Sequence, residues 1–135
     1  MSWRLAGRVE RLLEAGYLSG DRGEVMLIPG RPRLLADKVL LFGLGPRDAF
    51  DQEAFEQVAR HMLRALIDLC TRSAIVELPG RHDDALSPEA AADRFLAAAA
   101  EYDGAFDSFV LIERSLDQKR VTQHMIEERR RVRRW

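Results

Sequence analysis

Hydrophobic positions in this chain switch repeatedly between a helical and a strand-like period. Leu5, Val9, Leu12 and Leu13 recur at helical spacing, with Arg4, Arg8, Glu10, Arg11 and Glu14 between them. Gly16 is placed to end that helix. The segment EVMLIPG (24–30) reads as a strand closed by Pro29-Gly30, and KVLLFG (38–43) as a second strand. The second is continuously apolar, as expected when both faces are buried. Asp51 is positioned to cap the helix that follows, in which Phe55, Val58, Ala59, Met62, Leu63, Leu66, Leu69 and Cys70 form a broad apolar face. On that face Cys70 is expected to be buried packing.

The second half continues the alternation. AIVEL (74–78) is a short strand ended by Pro79-Gly80. Ser87-Pro88 is a helix start, serine as N-cap and proline at the first helical position, and the alanine-rich helix runs to about Tyr102. SFVLIE (108–113) is a fourth strand. Ser115 and Gln118 have capping-box spacing and open a last helix that continues into a run of arginines. The order α-β-β-α-β-α-β-α predicts an α/β fold: a three-layer α/β/α sandwich around a short, mostly parallel or mixed sheet. The short link between 24–28 and 38–43 suits antiparallel pairing at one edge. We read residues 1–135 as one domain, an α/β body over 1–116 and a basic C-terminal helix over 117–135.

Composition narrows the class. The chain has 135 residues, 47% hydrophobic and 32% charged, ordinary values for a globular domain with a real core. One cysteine excludes an internal disulfide and a Cys-based zinc site and suits a reducing compartment. The apolar runs fall far short of a membrane span. The first residues carry arginines and a glutamate through their apolar positions, unlike a signal peptide. A cytoplasmic location is expected. Net charge is −1 but uneven: residues 117–135 hold seven Lys/Arg against three acids, a local +4 that leaves −5 elsewhere.

Candidate chemistry is sparse. The turn GLGPRD places Gly43, Gly45 and Arg47 after a strand, where backbone amides and a cation are able to hold a phosphate. Pro46 removes one donor, however, and neither a dinucleotide fingerprint nor a Walker loop is present. Turning the chain is the better reading of the two glycines, and a weak anion site the lesser one. The three histidines fall in separate elements, and His61 has Ala65 at i+4, so it forms no metal pair. His82, Asp83 and Asp84 cluster in a polar loop read as solvated. There is no nucleophile elbow, and neither a cofactor nor a metal is expected. Arg129, Arg130, Arg131, Arg133 and Arg134 are read as a solvated helix end favoured by the helix dipole. Sequence-independent contact with nucleic-acid phosphates is the alternative. Trp135 either adds stacking to such a contact or anchors the end.

Taken together, LLEAGYLSGDRGEVMLI, KVLLFGLGPRDAFDQEAFEQVARHMLRAL and SAIVELP resemble the N-terminal domain of the leucyl aminopeptidase (cytosol aminopeptidase, M17) family, in order over residues 5–80 and more loosely to 113. The resemblance implies a macro-like fold with a mixed sheet between helix layers, and a domain that is not catalytic in the family and contributes to assembly or, in some bacterial members, to DNA binding. The NTDAEGR signature of the family's two-metal peptidase site is absent, so no catalytic or metal residue carries over. The family's strand or strands before the helix at Leu5 are also missing, which should leave a sheet edge or apolar helix face uncovered. The implied function is a non-catalytic interaction module, a homo-oligomer or a partner of another protein, with the first helix (Leu5, Val9, Leu12) as a candidate surface. The rival reading is a macro-like pocket for a nucleotide or ADP-ribose near Gly43 to Arg47.

Overall fold

A computed structural model describes residues 3–31, 36–80, 86–113 and 115–133, the side chains at 3–6, 115–116 and 128–133 excepted. The elements are α1 (Trp3–Glu14), β1 (Val25–Pro29), β2 (Lys38–Phe42), a 3-10 turn (Arg47–Ala49), α2 (Gln52–Asp68), β3 (Ser73–Glu77), α3 (Pro88–Ala100), β4 (Ser108–Ile112) and α4 (Ser115–Arg133). This is the mixed α/β order expected from the sequence. Two compact units divide the chain, Met1–Ala49 and Phe50–Trp135.

In the first unit, α1 stops where Gly16 adopts φ 80. The amide of Tyr17 bonds back to the Leu12 carbonyl at 3.0 Å and that of Gly16 to Leu13 at 3.2 Å, closing the last turn. β1 and β2 pair antiparallel, from Val25 opposite Phe42 to Pro29 opposite Lys38. That register puts Val25, Leu27, Leu40 and Phe42 on one face and Met26, Ile28, Val39 and Leu41 on the other, so both faces are apolar. Among the described residues only Leu18 and Ile28 of this unit are fully buried hydrophobics.

The second unit holds the main core. Asp51 caps α2 by accepting the Ala54 amide at 2.8 Å, and Ser87 caps α3 by accepting that of Ala90 at 3.2 Å, with Pro88 in the first turn. β3 and β4 pair in parallel, Ser73 beside Ser108 through Glu77 beside Ile112. Their register is clamped at the strand starts, where the Arg72 guanidinium donates to both Asp107 oxygens at 3.0 and 3.1 Å and to the Gly104 carbonyl at 2.8 Å. The Arg72 bonds hold the Asp107 carboxyl below its ordinary range and Asp107 raises Arg72 in return, although the pair is solvent-exposed and screened. One face of this pair, with Val76 and the following Leu78, packs on Phe55, Ala59 and Leu63 of α2 and on Ala91, Ala92 and Phe95 of α3. Phe95 and Phe109 meet edge to face, ring centroids 5.1 Å apart. Burial of each large side chain here is worth about 1.5–3 kcal/mol.

Three details depart from expectation. The hydrogen-bonded strands of the described residues form two separate pairs, one antiparallel and one parallel. Gln118 does reach back across the start of α4, but its amide donates to the Glu113 carbonyl at 2.9 Å where a capping box would use the helix's first amide. Cys70 lies beyond the end of α2, exposed and at φ 54. Its amide bonds the Ile67 carbonyl while that of Thr71 bonds Leu66, both at 2.9 Å, the arrangement in which glycine is usual. The apolar period runs into Cys70, yet the helix has already ended at Asp68, and that rotates the thiol out of the core.

Candidate functional site

The glycine turn after β2 is built against the loop before β1. Glu24 organises that loop: its carboxylate accepts the Gly20 amide at 2.9 Å, the Ser19 amide at 3.0 Å and the Ser19 hydroxyl at 2.9 Å. These donors, the Gly20 amide first, hold the carboxyl below the usual glutamate range against a smaller opposing effect of desolvation. Gly43 donates to the Glu24 carbonyl at 2.9 Å, and Gly45, at φ 78, donates to Gly20 at 3.0 Å. A Cβ on Gly43 would run into the Asp21 carbonyl, so close backbone approach explains that glycine and positive φ the other. Both amides are bonded within the chain. Arg47 opens the 3-10 turn and is exposed.

The arginine run continues one helix: α4 carries Arg129, Arg130, Arg131 and Arg133, whose side chains lie outside the described residues, as do Arg134, Trp135 and the loop with His82, Asp83 and Asp84. Among the described residues no group of three or more His, Cys, Asp or Glu could hold a metal ion. No helix there is long and apolar enough to cross a membrane.

Two features emerge only in three dimensions. The first is the second face of the β3–β4 pair. Ala74, Val76, Phe109 and Leu111 turn inward, while Ile75, Val110 and Ile112 remain 68%, 59% and 49% exposed. Parallel strands are almost always covered on both faces. In the first unit Val25 and Leu27 are likewise exposed; among the described side chains of α1, Leu13 is exposed and Val9 and Leu12 are half-buried, while that of Leu5 lies outside the described residues.

The second is a polar ladder between α3 and α4. Arg120 donates to both Glu89 oxygens at 2.8 and 2.9 Å, and His124 Nε2 lies 2.8 and 2.7 Å from the two Asp93 oxygens. Both rungs join residues 31 apart, so the two helices run parallel. The backbone amide of Glu89 first, then Arg120 and the charge of His124, hold the Glu89 carboxyl below its ordinary range, against desolvation. An open groove of about 400 Å³ runs along the ladder, lined by Glu89, Lys119, Arg120, Gln123, His124 and Glu127. In the sequence the ladder shows only as an acidic pair on one helix, Glu89 and Asp93, and a basic pair on the other, Arg120 and His124, each at i, i+4.

Comparison with known proteins gives the setting. Residues 2–106 match the N-terminal domain of the cytosol aminopeptidase family. A probable cytosol aminopeptidase of Burkholderia orbicola (strain MC0-3) is 39% identical over 61 residues, 45% of this chain and 12% of the relative. That of Burkholderia multivorans is 38% identical over the same length, and that of Halorhodospira halophila 34% over 73 residues, 54% of this chain and 15% of the relative. The chain therefore matches only a small fraction of the length of these relatives. Because the match to the family's N-terminal domain spans residues 2–106, most of this chain, the chain belongs to the cytosol aminopeptidase family.

Proposed function

We propose that this protein is a non-catalytic interaction module that assembles with further copies of itself, in the cytoplasm. The observation that carries the reading is the exposed apolar face of a parallel strand pair, Ile75, Val110 and Ile112. Such a face in water forfeits about 25 cal/mol for each Å² of apolar surface that a partner would cover. The family match supports the same reading, since it falls on the family's N-terminal domain. The macro-like, three-layer arrangement belongs to this proposal as well: it is an architecture in which both faces of a sheet are covered.

Light scattering on the purified chain at tens of micromolar tests the assembly. A dimer or larger closed oligomer is expected, and Ile75→Lys or Val110→Glu should shift it towards monomer with the circular dichroism spectrum retained. A monomeric wild-type chain would overturn the reading.

A further inference from the structure

We propose that His124 is a pH-responsive latch that fastens α4 to α3 through Asp93, independently of the assembly reading. Its Nε2 sits within hydrogen-bond reach of both Asp93 oxygens, at 2.7 and 2.8 Å, and the imidazole is only 23% exposed. The groups around it set the charge balance. From α3 come Asp93 and Glu89, and from α4 come Lys119, Arg120 and Glu127, the last held by Gln123 at 2.9 Å.

The latch matters because few of the described side chains of α4 are apolar and seated on the core. Of its described side chains, Val121 and Met125 are the ones packed on the core cluster, while Ile126 is 39% exposed. Polar contacts to α3 therefore carry a large share of the docking. The Arg120–Glu89 rung keeps both charges throughout the neutral range, because arginine does not titrate there. The Asp93 rung does change. Below the ordinary histidine range near pH 6.5 it is an imidazolium–carboxylate pair with a charge-assisted hydrogen bond. As pH rises through the ring's titration, only an Nε2–H donor to the carboxylate is left. Docking of α4 is thus strongest in mild acid and loosens towards pH 8.

Amide hydrogen exchange in the α4 backbone of the full chain, corrected for intrinsic rates, reads this opening directly. In the wild type the opening equilibrium should rise about five- to tenfold from pH 5.5 to 8, a tenfold change being one unit of coupling to the ring's proton. His124→Gln should be flat over that range, and Asp93→Asn should show a clearly smaller rise than the wild type, since Glu89 still feels the ring's charge. Glu89→Gln should open more at every pH and still show a rise. Ring titration of His124 by NMR adds a readout if His124→Gln folds poorly: its midpoint should be lower in Asp93→Asn than in the wild type. A flat wild-type profile, a wild-type rise retained in His124→Gln, or equal midpoints in wild type and Asp93→Asn would each overturn the latch.

Discussion

Cys70 and Glu24 show how single residues shape this molecule. Cys70 occupies a left-handed position at φ 54, with its side chain exposed, so it contributes little packing and carries a backbone penalty. That conformation costs an L-residue about 1–2 kcal/mol, which glycine avoids. Cys70→Gly should therefore stabilise the protein by about 1 kcal/mol in urea unfolding, and a loss of stability would show that the thiol packs after all. Glu24 works through charge. Its folded carboxyl is held below the unfolded range, so its contribution is complete above the unfolded value and fades as pH falls through the folded one. Glu24→Gln should be less stable than the wild type at pH 7, and the gap should narrow between pH 5 and pH 3. A gap that does not change with pH would exclude the charge as its source.

At the scale of elements, what was legible locally is what local chemistry decides. Asp51, Ser87-Pro88 and Gly16 each mark a helix end through a hydrogen bond or a φ value that only a few residue types supply, and each boundary is where the sequence places it. The four strands were legible too, because each is a short apolar run closed by Gly, Pro or a polar pair. The departures arise where periodicity outlasts the helix. The apolar stripe of α2 runs through Leu69 and Cys70, but the Ile67 and Leu66 carbonyls are claimed by the turn, and nothing in the stripe announces that. The ladder between α3 and α4 was equally hidden, since an acidic pair on one helix and a basic pair on the other only meet once β4 has brought the helices side by side.

For the whole molecule the uneven distribution of buried residues is decisive. Phe55, Leu63 and Phe95 are fully buried, all within 50–135, together with most of the remaining core. Residues 1–49 contribute only Leu18 and Ile28 to the fully buried set among the described residues, and a segment of that size lies near the lower limit for an independent fold. A fragment of residues 50–135 should unfold cooperatively with a helical spectrum, whereas residues 1–49 alone should show no cooperative transition. Cooperative melting of the short fragment, or none from the long one, would contradict this division of the core.

The sequence by itself determined the elements, their order, their caps and the family, because these rest on contacts a few residues apart and on patterns of period 2 and 3.6. It also favoured Gly43 and Gly45 as residues that turn the chain, without showing what requires glycine there. Only tertiary structure decided that: the Asp21 carbonyl stands where a side chain of Gly43 would go, and Gly45 turns back to Gly20. Tertiary structure likewise decided which face of β3–β4 received the helices and which kept Ile75, Val110 and Ile112 in water. In β4 both faces are apolar, so alternation along the strand carries no preference. The choice falls to the side on which the chain crosses over.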